Sequence, residues 1–239
     1  MLIIPAIDLI DGKIVRLKQG GYNSKTVYYD NPLDFIEQIK EYNFPRLHIV
    51  NLSNADTEKI SEYGFINNYK YNPAIKIQYG GGIRNVFDLK NLSDAGANYF
   101  IIGSLFFSNI AEFKKMLSVY PSEQFIISAD VSDKYVYIKG WKENSNINID
   151  SAIRMGLELN TTTFLITDIK KDGMLQSPNF DLYKELKEKY PEIKIIASGG
   201  VSSLDDLRIL EDIGVYAVVV GKAIFENKIS LKELKSFGN

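Results

Sequence analysis

The sequence contains an internal repeat that limits the folds open to it. At an offset of 118 residues, the distance from Ile75 to Ile193, the chain matches itself without a gap as far as Asn109. The matching pairs are Ile75-Lys76-Ile77 and Ile193-Lys194-Ile195, Gly81-Gly82 and Gly199-Gly200, Asp88-Leu89 and Asp206-Leu207, Leu92 and Leu210, Gly96 and Gly214, Gly103 and Gly221, Phe107 and Phe225, and Asn109 and Asn227. A repeat of this length indicates a duplicated structural unit.

With a small change of offset, the repeat extends to the earlier part of each copy. Asp8 then aligns with Asp130, and Asn51 aligns with Asp168. The chain is therefore predicted to consist of two similar halves, about 1–120 and 121–239. Because no Pro-, Gly- or Ser-rich linker lies near Tyr120, we expect one domain over residues 1–239 rather than two.

Eight short and mostly apolar runs are typical of buried strands, and segments of helical periodicity separate most of them. The predicted strands are Leu2–Asp8, Arg46–Leu52, Lys76–Gly80, Tyr99–Gly103, Gln124–Asp130, Thr163–Asp168, Lys194–Ser198 and Ala217–Gly221. The predicted helices are Pro32–Tyr42, Val86–Ala95, Ile110–Val119, Ser151–Leu159, Phe180–Lys189 and Leu204–Ile213, with a further short helix within Asn54–Asn72. Four strands in each half indicate a closed α/β (β/α)8 TIM barrel, since an open doubly wound sheet has no reason to repeat halves in this way.

The helix starts carry capping signals. Asn31 precedes Pro32, Asn85 stands three residues before Asp88, and Ser203 stands three residues before Asp206. Side chains of these types accept hydrogen bonds from the unpaired backbone N–H groups of a first helical turn. They support the predicted helix boundaries.

Composition excludes several classes of function. With 28 Lys and Arg against 30 Asp and Glu, the net charge is −2, so the strongly basic face of a nucleic-acid reader is not expected. The absence of cysteine excludes thiolate nucleophiles and cysteine-ligated metals, and a single histidine, His48, excludes the usual metal clusters. The apolar run at 2–7 is too short for a signal peptide and no stretch is long enough to span a membrane, so we expect a cytoplasmic protein.

In a barrel of this kind, functional residues lie at the carboxyl ends of the strands. Glycine-rich loops end the third, fourth, seventh and eighth strands, and backbone N–H groups at such loops converge on anions where a helix follows at once. Matched loops in both halves predict a substrate with a phosphate at each end; the alternative is that the glycines serve only tight turns and close helix packing. The expected binding residues are Gly81, Gly82, Arg84, Gly103, Ser104, Gly199, Gly200, Gly221 and Lys222.

Two acids end strands that face each other across the barrel. Asp8 ends the first strand and Asp130 ends the fifth. Proton transfer at two atoms of a sugar lying across the barrel mouth requires one carboxylate and one carboxylic acid, so we interpret these residues as an acid–base pair. The alternative is that both acids cap loops.

Three further residues are candidates for the site. Thr167 and Asp168 end the sixth strand and are expected to assist catalysis and to bind substrate, unless Asp168 belongs to the solvated charged loop at 170–172. Trp141, in the loop after the fifth strand, is predicted to stack on a planar part of the substrate or to cover a barrel layer. His48 lies inside the second strand and is predicted to be structural.

Several short motifs occur in order at the strand ends. They are Ile3-Ile4-Pro5-Ala6-Ile7-Asp8, Gly12-Lys13-Ile14-Val15-Arg16-Leu17 with Gln19-Gly20, Gly80-Gly81-Gly82-Ile83-Arg84, Gly140-Trp141, Thr167-Asp168-Ile169 with Asp172-Gly173, and Ser198-Gly199-Gly200-Val201-Ser202. In these motifs the chain resembles, over almost its whole length, the family of phosphoribosylformimino-5-aminoimidazole carboxamide ribotide isomerases of histidine biosynthesis.

The resemblance implies an Amadori rearrangement, in which an aminoaldose ribosyl group bearing a phosphate becomes an aminoketose. It implies that Asp8 accepts the C2 proton, that Asp130 donates a proton during ring opening and that Thr167 takes part in catalysis. It also implies a substrate with two phosphates and no need for a metal or organic cofactor. Asn51 stands where relatives commonly have aspartate, and we interpret it as an orienting residue. The segment Gln19–Lys25 is expected to be a loop beside it.

Other functions stay open at this point. The sister cyclase, which works with a glutaminase, has Pro-Cys-Leu-Asp at its first strand and lacks the Gly-Trp after its fifth, unlike Pro5-Ala6-Ile7-Asp8 and Gly140-Trp141 here. Some relatives also isomerise phosphoribosylanthranilate. A catalytically silent sugar-phosphate-binding barrel would need the glycine loops but not the opposed acids. A complete barrel without an exposed apolar stripe is expected to be a monomer.

Overall fold

The computed structural model describes residues 1–18, 21–53 and 75–238 of the chain. Twelve strands in these residues form one sheet. In chain order they are β1 (Leu2–Ile10), β2 (Lys13–Lys18), β3 (Gly21–Tyr29), β4 (Arg46–Asn51), β5 (Lys76–Gly80), β6 (Tyr99–Ile102), β7 (Phe125–Ser132), β8 (Tyr135–Ile138), β9 (Glu143–Asn148), β10 (Thr163–Asp168), β11 (Lys194–Ser198) and β12 (Ala217–Val220).

Eight of these strands are parallel and close into a barrel. Their order is β1, β4, β5, β6, β7, β10, β11 and β12, and β12 pairs with β1. Closure leaves no free edge among the eight strands. The predicted α/β (β/α)8 TIM barrel is confirmed, while its origin from two repeated halves and its assignment as one domain stay predictions.

All eight predicted strands are present, and two of them are longer than predicted. β1 continues beyond Asp8 to Ile10, and β7 continues beyond Asp130 to Ser132. In each case the added residues pair antiparallel with the next strand along the chain, β2 or β8. Leu9 and Val131 also pair with neighbouring barrel strands, so only the last residue of each extension, Ile10 or Ser132, depends on hairpin pairing alone.

The hairpins β2–β3 and β8–β9 were not predicted. β9 has the sequence ENSNIN and is largely exposed, so it lacks the apolar alternation typical of a half-buried strand. The segment expected as a loop at 19–25 includes the first residues of β3. Both hairpins contribute to the barrel mouth, β2–β3 through Arg16 and β8–β9 through Trp141.

Nine helices are described. They are α1 (Pro32–Glu41), α2 (Val86–Ala95), α3 (Ser104–Ser108), α4 (Ile110–Leu117), α5 (Ile149–Glu158), α6 (Phe180–Lys189), α7 (Leu204–Ile213), α8 (Lys222–Phe225) and α9 (Leu231–Phe237), with a 3₁₀ turn at Ser122–Gln124. The six predicted helices among these residues are confirmed within two residues at each end, whereas α3, α8 and α9 were not predicted. The helix predicted within Asn54–Asn72 lies outside the described residues.

The predicted helix caps form as expected. The Asn31 side chain accepts from the second residue of α1. Asn85 with Asp88, and Ser203 with Asp206, form reciprocal capping boxes at α2 and α7. Each such cap contributes about 1 kcal/mol to helix stability, because it satisfies backbone N–H groups that have no partner in the helix.

Successive side chains along each barrel strand point alternately inward and outward, so the apolar residues form two separate regions. Side chains pointing inward fill the barrel, and those pointing outward pack against the helices. The inward apolar cluster consists of Ile4, Ala6, Ile101, Ile126, Leu165, Ile196, Ala217 and Val219. This layer forms a packed floor, and the space above it at the carboxyl ends of the strands is free for a site. Among the helices of the described residues, none has the length and apolarity of a membrane span.

Candidate active site

A cavity of about 620 Å³ opens at the carboxyl ends of the barrel strands. It is lined by all three predicted catalytic residues and by every predicted binding residue except Asp168. Residues from all eight barrel strands or the loops after them reach it. The closed sheet thus brings together residues from both copies of the repeat in a single concave surface.

Asp8 is held by Arg16, for which the sequence motifs indicated no role. Arg16, on β2, donates from Nη1 to Asp8 Oδ2 at 2.9 Å. Its Nη2 donates to Asp172 Oδ2, in the loop after β10. One guanidinium therefore joins two carboxylates that are far apart in the sequence, and the three side chains are only 16–20% exposed.

Asp172 is a site residue that sequence reasoning missed. The sequence suggests for it only the alternative of a solvated charged loop, but Asp172 lines the cavity and its negative charge helps to raise the pKa of both Asp8 and Asp130. The motif Asp172-Gly173 is visible in the sequence, but nothing in the sequence pattern indicates that Asp172 contacts Arg16. Their pairing depends on two loops that meet only when the barrel closes.

Asp130 lies four strands from Asp8 around the barrel, on its opposite side. The indole Nε1 of Trp141 donates to Asp130 Oδ2 at 2.9 Å, and the hydroxyl of Thr167 donates to the same carboxyl group. Thr167 is its direct register partner on β10, which explains the contact. The three residues predicted around this end of the site are thus brought together.

Both acids have an environment suited to proton transfer. Burial raises the pKa of Asp130 to about 6, against the lowering effect of hydrogen bonds from Trp141 and Thr167. Burial also raises the pKa of Asp8, while the positive charge of Arg16 acts in the opposite direction. With a pKa of about 6, Asp130 can both give and take a proton at physiological pH.

The glycine loops approach other backbone so closely that side chains are excluded. A Cβ on Gly81, whose φ is +101°, would lie 2.1 Å from the backbone oxygen of Asn51. A Cβ on Gly200, with φ +88°, would lie 2.6 Å from the backbone oxygen of Ser177. Because L-residues rarely adopt such φ values, both the conformation and the space require glycine.

The helix starts beside these loops differ in a way that the sequence patterns did not predict. At α2, the Asp88 carboxylate already accepts from the N–H groups of Arg84 and Asn85. Asp206 does the same for α7. The starts of α3 and α8, at Gly103 and Gly221, have no side-chain cap. The N–H groups open to an anion are therefore those at α3 and α8, and not those of the capped helices.

The first residues of α3 and α8 also contact the loops that carry the acids and the indole. Ser104 Oγ accepts from the backbone N–H of Lys139 at 2.8 Å, two residues before Trp141. Lys222 Nζ donates to the backbone oxygen of Gly173 at 2.7 Å, next to Asp172. Each predicted anion site is thus joined to a loop of the acid–base site by one hydrogen bond.

Asp168 is not part of this cavity, contrary to our expectation. Its carboxylate accepts from Asn179 Nδ2 at 2.6 Å and from the backbone N–H of Lys170 at 2.8 Å. Because successive side chains on a strand point to opposite faces, Asp168 points away from the cavity that Thr167 faces. Its contacts order the loop between β10 and α6.

Asn51 and His48 are both buried in β4. The backbone of Asn51 forms the close contact with Gly81 described above. The His48 ring is hydrogen-bonded to Gln78 and lines the cavity, where burial lowers its pKa to about 3. Within the described part of the chain, no group of three His, Asp or Glu side chains is arranged to hold a metal ion.

Comparison with known proteins gives one consistent result. Residues 2–230 match the family model described as "Histidine biosynthesis protein". A protein of Cytophaga hutchinsonii is 39% identical over 235 residues, covering 98% of both chains, and one of Flavobacterium johnsoniae is 39% identical over 237 residues, covering 99% of both. A third, of Phocaeicola vulgatus, is 40% identical over 235 residues, with 98% coverage of both chains. All three are named 1-(5-phosphoribosyl)-5-((5-phosphoribosylamino)methylideneamino)imidazole-4-carboxamide isomerase.

Proposed function

The chain belongs to the histidine biosynthesis protein family, and on that premise we propose that it catalyses the aldose–ketose isomerisation for which its relatives are named. The observation that carries the proposal is the pair of carboxyl groups, Asp8 and Asp130, on opposite sides of one cavity bordered by four glycine loops. A bisphosphorylated ribotide lying across the mouth would place its reacting sugar between the two acids.

The first step assigned to the site is opening of the aminoaldose ring. Asp130 in its protonated form gives its proton to the ring oxygen as the C1–O bond breaks, and the nitrogen lone pair forms a C1=N bond. A pKa of about 6 leaves a fraction of Asp130 protonated at neutral pH, which supports this role. Thr167 and Trp141, which donate to the carboxyl group, position it and stabilise the anion left behind.

The second step is removal of the C2 proton by Asp8. The C–H electron pair forms a C1=C2 bond while the C1=N bond returns its pair to nitrogen, giving an enolamine. Transfer of the hydroxyl proton from the C2 oxygen and protonation of C1 then complete the aminoketose. Arg16 beside Asp8 favours the carboxylate form that a base requires, and this supports the assignment.

The phosphates are assigned to the two uncapped helix starts with the glycine loops beside them. One site comprises Gly103 and Ser104 with the loop at 81–84, and the other comprises Gly221 and Lys222 with the loop at 199–200. Free backbone N–H groups and the positive charges of Arg84 and Lys222 suit dianionic phosphate groups. Lys222 would exchange its contact with Gly173 for the ligand.

The main test is turnover of the aminoaldose ribotide by the purified protein, followed by absorbance in an assay coupled to the cyclase–glutaminase complex. Asp8→Asn serves as the matched control, because it keeps the shape of the site and removes the base. We expect turnover by the wild-type protein and none by the variant, with phosphate-ligand affinity retained. Turnover unchanged in Asp8→Asn would contradict the role of Asp8.

Two alternative functions are outcomes of the same assay. Turnover of phosphoribosylanthranilate as well would make the chain a dual-substrate isomerase. Turnover of neither substrate, with tight binding of the product, would indicate a silent sugar-phosphate-binding barrel. The names of the relatives favour the isomerase over the sister cyclase.

We further propose that the chain acts as a monomer in the cytoplasm, without a cofactor and without nucleic-acid or membrane partners. A closed barrel whose cavity is lined by one chain supports the monomer, and the near-neutral charge balance supports the absence of nucleic acid. Light scattering after size-exclusion chromatography tests the oligomeric state, and full turnover after treatment with a chelator tests independence from metal ions.

A further inference from the structure

A row of inward-pointing side chains crosses the barrel just below the site. Ala6, His48, Gln78 and Tyr99 are register partners on four neighbouring strands, β1, β4, β5 and β6. Most of the surrounding barrel interior is apolar, so polar residues in this row need a reason for their burial. His48 is the member of the polar group that reaches the cavity.

Hydrogen bonds within this row determine which nitrogen of His48 carries the proton. The Arg46 guanidinium lies 4.0 Å over the Tyr99 ring and donates from Nη1 to Gln78 Oε1 at 3.5 Å. Because a guanidinium can only donate, the Gln78 oxygen must face it, and the amide nitrogen must face His48. Gln78 Nε2 lies 2.7 Å from His48 Nδ1.

An amide nitrogen can donate but not accept, so His48 Nδ1 is the acceptor and carries no proton. Burial keeps the ring neutral by lowering its pKa to about 3. The proton of the neutral ring is therefore on Nε2. Among the residues that the structure describes, none accepts a hydrogen bond from this N–H. Nε2 therefore keeps contact with solvent, since it is absent from the buried side-chain atoms that lack a partner.

We propose that His48 is a ligand-binding residue, which donates a hydrogen bond from Nε2 to an oxygen of the sugar-phosphate in the cavity. Gln78 and Arg46 are its positioning residues, since they fix the tautomer without reaching the ligand themselves. The inference rests on the proposed function for the identity of the ligand. It replaces the structural role that the sequence analysis gave to His48.

A neutral donor is suited to this place for an electrostatic reason. Asp8 and Asp172 already share the positive charge of Arg16, and the ligand brings two phosphates. A neutral N–H orients a sugar oxygen without altering the charges that set the protonation of the acids. It stays a donor over the whole working pH range, because the ring does not titrate there.

The tautomer is directly measurable because His48 is the only histidine in the chain. Long-range proton–nitrogen correlation spectra of tag-free protein labelled with ¹⁵N-histidine contain a single imidazole. We expect the spectrum of an Nε2–H tautomer in the free protein. An Nδ1–H tautomer would overturn the proposal. Gln78→Glu supplies a matched test, since a carboxylate beside Nδ1 accepts rather than donates and should move the proton to Nδ1.

Ligand contact is tested on the Asp8→Asn protein, in which the ribotide is bound but not consumed. Saturation is followed independently by the fluorescence of Trp141, the single tryptophan. We expect the Nε2 resonance to shift on saturation. Saturation without a shift of Nε2, or no binding of the ribotide at all, would overturn the proposal. Turnover by the wild-type protein is measured separately and decides the proposed isomerase function.

Two substitutions of His48 separate ligand binding from packing. Glutamine places an amide N–H near the Nε2 position, whereas asparagine reaches only about as far as Nδ1. We expect His48→Asn to lower kcat/KM by about 10-fold, the effect of one lost hydrogen bond. His48→Gln should stay within about 3-fold of the wild type. Equal losses in the two variants would assign His48 to packing and overturn the proposal.

Discussion

Trp141 donates its indole N–H to Asp130 across 2.9 Å, from Nε1 to Oδ2. The donor lies on the hairpin β8–β9, while the acceptor lies on the barrel strand β7. Protonation of the proposed acid thus depends on a loop that is not part of the barrel wall. Because the hydrogen bond favours the charged carboxylate, it works against the effect of burial on the pKa of Asp130.

Trp141→Phe should therefore raise the pKa of Asp130 above its value of about 6. An acid must be protonated to act, so the activity falls as the pH rises through this pKa. The alkaline limb of the kcat profile should move to higher pH in the variant. The measurement is kcat between pH 5 and 9. The control is Tyr135→Phe, in the same hairpin but outside the cavity lining. If the alkaline limb of the kcat profile stays in place in Trp141→Phe, the prediction is contradicted.

Arg16→Met removes the cation that Asp8 and Asp172 share. Without it, burial and the neighbouring carboxylate raise the pKa of Asp8 further, which disfavours the ionised form that a base requires. We expect kcat/KM at pH 7 to fall by about 100-fold or more, as is usual for a lost catalytic acid–base form. The acidic limb of the kcat/KM profile should move to higher pH.

The control for Arg16→Met is Arg208→Met, which breaks an exposed ion pair with Asp205 on α7. Exposed pairs contribute little to stability or function, so its kcat/KM should match the wild type. Full activity of Arg16→Met at neutral pH would show that Asp8 does not need the guanidinium.

The barrel strands were predictable because their buried residues form apolar runs that local pattern detects. The hairpins were not, since β9 is polar and β2–β3 is determined by pairing with an extended β1. The helices α3 and α8 contain five and four residues, which is too short for helical periodicity to appear.

The presence of Asp8 and Asp130 in the cavity was predictable because each lies near the carboxyl end of a barrel strand. Asp168 lies outside the cavity that Thr167 lines, because strand alternation places neighbouring side chains on opposite faces. The contact of Arg16 with Asp172 was not predictable, since it joins residues 156 positions apart through two loops. Sequence patterns carry no information on how such loops meet.

Asp130→Asn should make the protein more stable at alkaline pH while removing its activity. The pKa of Asp130 is about 6 when folded, against an ordinary value of 3.8. Folding therefore favours the protonated form of Asp130. In the wild type, its contribution to the free energy of unfolding is complete below about pH 4 and is lost as the pH rises through about 6. At pH 8 the variant should gain up to about 3 kcal/mol over the wild type.

Urea unfolding of Asp130→Asn at pH 4 and pH 8 measures this difference, which should nearly vanish at pH 4. Asp133→Asn is the control on the same strand–loop junction, where an exposed ion pair with Lys170 lowers the pKa of Asp133. Asp133→Asn should lower the free energy of unfolding at pH 8, because the carboxylate paired with Lys170 stabilises the folded state above the pKa of Asp133. A stability gain of Asp130→Asn that does not vary with pH would refute the linkage.

Gly81→Ala tests the close approach between two strand ends at the site. Its Cβ would lie 2.1 Å from the backbone oxygen of Asn51, in a residue whose φ is +101°. Gly214→Ala is the matched control, with φ +84° and no atom within 4 Å of the new Cβ, so it isolates the backbone strain of about 1 kcal/mol. Because backbone cannot yield as a flexible side chain does, we expect Gly81→Ala to lower the free energy of unfolding by about 3 kcal/mol or more in urea titrations. Equal losses in the two variants would show that β4 and β5 separate enough to admit a methyl group, and the loop proposed to hold a phosphate would then not be fixed by this contact.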